Sequence, residues 1–73
     1  MVVTVLDGDS EHDVLELVGV SDGVVRARSA YLFEVGEELS LRLDDAGKVT
    51  TQKARVRGHV GPADARITEL VLL

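Results

Sequence analysis

Apolar and polar residues alternate with a period of two along most of this 73-residue chain. Such alternation is typical of β-strands that bury one face and expose the other. The clearest example is residues 39–43, in which three leucines should face inward while Ser40 and Arg42 face solvent. No stretch has a convincing helical period, although residues 29–34 could form a single helical turn. The pattern therefore predicts an all-β fold.

Turn-forming residues divide the alternation into six short strands. The predicted strands are residues 2–6, 14–20, 24–29, 39–43, 49–60 and 66–72. Six strands in so small a chain favour a closed or nearly closed antiparallel barrel, because closure leaves few unpaired strand edges. We expect one domain that covers residues 1–73, since a chain of this length is near the lower limit for independent folding.

The long predicted strand at residues 49–60 should have an apolar face and a basic face. The apolar face is formed by Ala54, Val56, Gly58 and Val60. The basic face is formed by Lys53, Arg55, Arg57 and His59. If the strand at residues 24–29 lies nearby, it extends the basic face, and the candidate anion-binding residues are then Arg26, Arg28, Arg55 and Arg57. The alternative is a solvated outer surface whose charges discourage aggregation.

Acidic residues outnumber basic ones, and the excess lies in the N-terminal third. The net charge is −5, and residues 1–23 contain six acids but no Lys or Arg. A chain with this charge and only two aromatic residues is not expected to bind nucleic acid, which requires a basic surface and often aromatic stacking.

Several features bear on the location of the protein. The chain has no cysteine, which fits a reducing cytoplasm and excludes disulfides and thiolate metal sites. Residues 1–6 are apolar, but they are too few and lack the basic start of a signal peptide. No run approaches the roughly 20 apolar residues of a membrane span. We therefore expect a soluble, cytoplasmic protein without membrane insertion.

The sequence contains no recognisable catalytic or metal-binding motif. His12 and His59 are the only histidines, they have no metal-ligand spacing, and both are expected at the surface. Acids alternate along residues 7–13 as in a calcium loop, but His12 stands where such a loop needs Gly and Val18 where it needs Glu. We expect no enzymatic activity, metal or cofactor. Residues 7–13 should form an acidic hairpin loop, which could contact a basic partner.

Five segments follow one another in a characteristic order over about the last four-fifths of the chain. They are residues 19–24, 25–29, 35–43, 54–56 and 67–72. They correspond to a D/N-x-S-x-x-G turn, of which Ser21 is kept and Val24 replaces the final Gly, an alternating strand that ends in Ser, a "vGe-x-l-x-l-x-l" strand, an "a-x-V" strand and a closing apolar strand. This order resembles a PilZ domain. The resemblance implies a small six-stranded PilZ-like barrel and a ligand or partner turn at Ser21, Asp22 and Gly23.

PilZ domains are bacterial receptors for cyclic di-GMP, which they bind through this turn and through an R-x-x-x-R motif. Arginines suit that role because guanidinium groups pair bidentately with phosphate and stack on guanine. The present chain has no arginine before Arg26, and Gly19 stands where the family has Asp or Asn. We therefore do not expect tight cyclic di-GMP binding. Ordinary hairpin chemistry also explains the Ser-Asp-Gly turn.

The leading hypothesis is a non-catalytic PilZ-like adaptor that acts through protein–protein contacts, including self-association, in bacterial signalling or motility. Tyr31 and Phe33 are the expected partner anchors, because aromatic residues are common at interfaces. The same two rings could instead plug one end of the barrel. One alternative is a receptor for cyclic di-GMP or another nucleotide that uses the turn and the nearby arginines. A second is an unrelated β-barrel accessory domain.

Overall fold

Seven β-strands and no helix make up the computed structural model, which describes residues 1–73. The strands are β1 (Val2–Asp7), β2 (Ser10–His12), β3 (Leu15–Ser21), β4 (Val24–Ser29), β5 (Glu38–Asp45), β6 (Lys48–Val60) and β7 (Ile67–Leu72). The all-β prediction is confirmed. The prediction of six strands was wrong by one, and residues 29–34 do not form the helical turn that the sequence allowed. The structure contains no helix with the length and apolarity needed to cross a membrane.

All seven strands belong to one antiparallel sheet in the order β2-β1-β5-β6-β7-β4-β3. The sheet curls so that β1 and β3 contact each other, but no hydrogen-bonded ladder joins β3 to β1 or β2. The sheet is therefore open, with β2 and β3 as its edge strands. Its overall dimensions are 33 × 24 × 21 Å.

The core lies on the inner face of this curled sheet. Leu41, Ala54 and Leu70 are completely buried and come from the three neighbouring strands β5, β6 and β7. The predicted orientation of the three leucines of β5 is confirmed, although Leu43 is only partly buried. The other residues of the core cluster are Val3, Val5, Leu15, Val25, Ala27, Phe33, Leu39 and Val56.

The strand that the sequence pattern missed is β2. Residues 7–13 were expected to form a loop, but only Gly8 and Asp9 form the turn, and residues 10–12 pair with β1. Gly8 has a φ of 60° and Asp9 a negative φ, as in the type II′ turns that join hairpin strands. All three residues of β2 are exposed. No apolar alternation could therefore mark this strand.

An ion pair attaches β2 to the rest of the sheet. The guanidinium of Arg42 on β5 lies 2.6 Å from the carboxylate of Glu11 on β2, on the other side of β1. The hydrogen bond and the charge of Glu11 raise the pKa of Arg42 above its usual value, so that the guanidinium stays cationic.

A β-bulge in β6 changes which side chains face the core. Val56 pairs with Leu70, but the next pair is Gly58 with Glu69, so Arg57 is an extra residue. An extra residue moves every later side chain of the strand to the opposite face. The faces predicted for the end of β6 were therefore wrong beyond Arg57.

The residues after the bulge show this reversal. His59 was expected at the surface, but it is half-buried opposite Thr68, which is 2% exposed. Val60 was expected on the apolar face, but it is 48% exposed.

Two hairpin turns have positive φ at both central residues, as in type I′ turns. Asp22 and Gly23 have φ values of 53° and 74°, and Ala46 and Gly47 have values of 54° and 86°. Asp and Gly adopt such conformations readily, whereas the Cβ of alanine clashes with the neighbouring carbonyl group. Ala46 is therefore a strained residue in the β5–β6 turn.

Replacing this alanine should stabilise the protein. We expect Ala46→Asn to raise the free energy of unfolding by about 0.5–1 kcal/mol, because Asn tolerates positive φ and Asn-Gly is preferred in type I′ turns. Urea denaturation would measure the change. Ala63→Asn is the matched control, since Ala63 is also exposed in a turn but has a negative φ. An equal gain in both variants, or none in Ala46→Asn, would contradict the assignment of strain to this turn.

Candidate functional site

The connection between β4 and β5, residues 30–37, carries both aromatic residues of the chain. Phe33 is 7% exposed and belongs to the core, whereas Tyr31 is 60% exposed. Their ring centroids lie 4.9 Å apart in an edge-to-face arrangement. Phe33 therefore packs inside as part of the core, and Tyr31 alone is free to contact a partner. Leu32 and Val35 are also exposed, at 61% and 66%.

Backbone hydrogen bonds attach both ends of this connection to the sheet. The amide of Ala30 donates to the carbonyl of Val14 over 2.9 Å. At the other end, the amide of Gly36 donates to the carbonyl of Val56, and the amide of Val56 donates to the carbonyl of Glu37, over 2.8 and 2.9 Å. The exposed apolar residues between these points are consequently presented by an anchored segment.

His59 holds the middle of the connection. Its Nε2 lies 2.7 Å from the carbonyl oxygen of Phe33, and its Nδ1 lies 2.9 Å from the hydroxyl oxygen of Thr68. A carbonyl oxygen can only accept, so Nε2 donates to Phe33, while Nδ1 pairs with the threonine hydroxyl, which can either donate or accept. The imidazole therefore satisfies a buried hydroxyl and fixes the backbone at Phe33.

A half-open groove of about 590 Å³ lies between the β1–β2 hairpin, the start of β5 and the β4–β5 connection. Its floor is formed by Val5, Phe33 and Leu39, each less than 10% exposed. The rest of the lining is formed by Leu6, Gly8 and Val14 and by six polar residues, namely Asp7, His12, Tyr31, Glu37, Glu38 and Ser40. We call this feature the groove.

The groove is acidic, and two of its carboxylates have no basic partner. Glu38 lies 3.1 Å from the guanidinium of Arg55, which neutralises it. The carboxylate of Glu37 accepts a hydrogen bond from the backbone amide of Glu34 but has no cation beside it. Asp7 forms neither an ion pair nor a side-chain hydrogen bond. No Lys or Arg lines the groove. Its surface is therefore suited to a cationic group.

The arginines that were candidates for anion binding already have carboxylate partners. Arg26 on β4 and Arg57 on β6 both bind Glu69, which lies on the intervening strand β7, over 3.0 and 3.2 Å. The side chain of Glu69 is only 12% exposed. This carboxylate is thus enclosed by two guanidinium groups on the outer face of the sheet.

The other two candidates are also paired, although in more exposed positions. Arg28 lies 3.6 Å from Glu16, and Arg55 pairs with Glu38 as described above. The basic face expected from the sequence is consequently a mixed surface. Its arginines alternate with acids contributed by the neighbouring strands β3, β5 and β7.

The turn at Ser21, Asp22 and Gly23 lies away from the residues that line the groove. The hydroxyl of Ser21 accepts a hydrogen bond of 3.0 Å from the guanidinium of Arg26, and the carbonyl of Gly23 accepts one of 2.8 Å from the amide of Leu72. Both interactions stabilise the hairpin and its junction with β7. Of the three residues, only Asp22 offers a side chain without such a partner.

No group of three or more His, Asp or Glu side chains is placed to hold a metal ion. No family model, curated protein or solved structure matches this chain. The resemblance to PilZ domains therefore stays a prediction from the five segments that carry it.

The role of His59 can be tested by a double-mutant cycle. We expect His59→Leu to lower the free energy of unfolding by about 1–3 kcal/mol, because the buried hydroxyl of Thr68 loses its partner. Adding Thr68→Val removes that unpaired hydroxyl, so the double variant should be more stable than the sum of the single effects predicts, by about 1 kcal/mol. Urea denaturation of the four proteins gives this coupling energy.

His12→Leu is the matched control for this cycle. His12 is exposed and forms no side-chain hydrogen bond, so its replacement should change the unfolding free energy by less than about 0.5 kcal/mol. Additive effects of the His59 and Thr68 substitutions would show that the hydrogen bond between them does not stabilise the fold.

Proposed function

We propose that this chain is a non-catalytic, PilZ-like adaptor that binds a protein segment in the groove beside Tyr31 and does not bind cyclic di-GMP tightly. The observation that carries the proposal is the groove itself, with its buried apolar floor and the exposed ring of Tyr31 at its side. The resemblance to PilZ domains, with their small antiparallel barrel, assigns this role to bacterial signalling or motility in the cytoplasm.

The surface beside the groove has the properties of a protein-binding site. Tyr31, Leu32 and Val35 are all at least 60% exposed within one short connection. Neighbouring exposed apolar side chains commonly mark interaction sites, and tyrosine is a frequent anchor there. The backbone of this connection is held by His59 and by the sheet. A fixed segment loses little conformational freedom on binding, which favours affinity.

The ion pairs on the outer face weaken the case for a nucleotide receptor. A phosphate would have to compete with Glu69 for Arg26 and Arg57. If phosphate displaced Glu69 from these arginines, the largely buried carboxylate of Glu69 would have no cation beside it, which is energetically costly. Ser21 is likewise engaged with Arg26. The residues that the resemblance assigns to a ligand therefore interact with one another.

The arrangement of polar groups in the groove supports a non-catalytic role. Nucleophilic catalysis needs a nucleophile and a base within hydrogen-bond reach of each other. His12 and Ser40 both line the groove, but no hydrogen bond joins them. The groove offers apolar contact area and negative charge, which are the properties of a docking surface.

Titration with cyclic di-GMP separates the adaptor from the receptor. In two-dimensional NMR of the labelled chain, we expect no saturable shift of the Ser21, Asp22, Gly23 or Arg26 amides up to about 1 mM ligand, where binding would be worth only about 4 kcal/mol. Saturable shifts at these residues would contradict the proposal and favour the receptor.

Site-specific cross-linking in the native host tests the adaptor directly. A photoreactive benzoylphenylalanine in place of Tyr31 should give a discrete adduct with a partner protein, because this side chain is expected at the interface. The same residue in place of Val49 is the matched control, since Val49 is an exposed apolar residue that does not line the groove. Adducts from both positions, or from neither, would count against the groove as the docking site.

A further inference from the structure

We infer that the segment bound in the groove is a basic, extended peptide in which Lys or Arg alternates with aliphatic residues. This inference rests on the proposed function and specifies the chemical class of the partner. It follows from three observations. The groove carries negative charge, its floor is apolar, and the basic residues of the chain itself are poorly placed to fill it.

The charges of the groove are negative and unneutralised. Asp7 and Glu37 line it without a Lys or Arg partner, and Asp9 adds an exposed carboxylate at the adjacent β1–β2 turn. Six further acids outside the groove also lack an ion-pair partner, namely Asp13, Asp22, Glu34, Asp44, Asp45 and Asp64. Asp7 and Glu37 differ from them in lying beside the apolar floor of the groove. The groove therefore carries negative charge with no Lys or Arg in its lining, and this charge attracts a cationic partner and repels phosphate or anionic lipid.

The floor of the groove selects apolar side chains on the same partner. Val5, Phe33 and Leu39 are apolar core residues that line the groove together with the carboxylates. A volume of about 590 Å³ is in the range of pockets that hold small ligands. The groove can therefore hold a few side chains of a peptide. An extended chain directs successive side chains to opposite faces, so alternating residues can place aliphatic groups on the floor while the long basic side chains bend back to the acidic rim.

A second copy of this chain fits the groove less well than a foreign peptide. Two copies each carry a net charge of −5 and repel one another. The only basic side chains without an ion-pair partner are Lys48, Lys53 and Arg66. Lys48 and Lys53 both lie on β6. Residues 53–57 of that strand do alternate basic and aliphatic side chains, but this part of β6 is already paired with β5 and β7 inside the sheet. The charge pattern therefore favours a different, basic chain over self-association.

The test uses NMR titration of the full, isotope-labelled chain with synthetic peptides. The probe is an acetylated and amidated hexapeptide that alternates lysine and leucine, and the control peptide has glutamate at each lysine position. We expect the lysine peptide to give saturable shifts at His12, Tyr31 and Ser40 but not at Thr50, which lies outside the groove. Because the Debye length falls from about 10 Å at 0.1 M to about 3 Å at 1 M salt, high salt should weaken binding several-fold.

Charge-matched variants show whether the carboxylates of the groove are responsible. The double substitution Asp7→Asn with Glu37→Gln should raise the Kd of the lysine peptide about threefold to tenfold, since each carboxylate contributes a modest, partly screened attraction. Asp45→Asn with Asp64→Asn removes the same charge from exposed positions outside the groove. This control should change the Kd by less than about twofold.

Specific results would overturn the inference. These are the absence of saturable shifts with the lysine peptide, equal binding of the glutamate peptide, or equal weakening by the two double variants. If the glutamate peptide alone shifts the groove residues, the groove is still a docking site and only the basic character of its partner is wrong. Failure of the proposed function is seen separately, through cyclic di-GMP binding or the absence of a cross-link from Tyr31.

Discussion

The bulge at Arg57 is the constraint on which the rest of the structure depends. Because this extra residue reverses the faces of β6, His59 turns inward and reaches both Thr68 and the carbonyl of Phe33. Phe33 is thereby fixed over the core, and the exposed ring of Tyr31 packs against it. A regular strand would point the imidazole into solvent and leave the β4–β5 connection without its central hydrogen bond. The bulge in β6 thus influences the shape of a groove whose lining residues belong to β1, β2, β5 and the adjoining connections.

Electrostatics divides the surface into two regions with different properties. On the outer face, Glu69 is enclosed by Arg26 and Arg57, and its burial makes any loss of these partners costly. At the groove, Asp7 and Glu37 keep their charge without a cation. Exposed ion pairs contribute little to stability, so the main consequence of this division concerns recognition. Arg26 and Arg57 of the outer face are thus occupied by Glu69, while Asp7 and Glu37 of the groove are free to bind a cation.

The sequence predicted the regular parts of the fold better than its functional surface. Alternation identified β5 correctly because its leucines follow an unbroken period of two. It missed β2, whose residues are all exposed, and it misplaced His59, although Gly58 within a strand is a recognised sign of a bulge. An irregular connection has no periodicity, so the different fates of Tyr31 and Phe33 could not be derived from pattern. The groove could not be predicted either, since it combines segments that are distant in sequence.

The edges of the sheet indicate how a partner would bind. Proteins limit pairing at exposed edges with short strands, bulges and charges. Here β2 has only three residues, one of them held by Arg42, and β3 is interrupted by a bulge between Leu17 and Gly19. Contact with β1 further restricts access to β3. Addition of a strand to either edge is therefore disfavoured. A segment in the groove would instead be recognised through its side chains. The apolar floor and the acidic rim of the groove should therefore determine which partner binds.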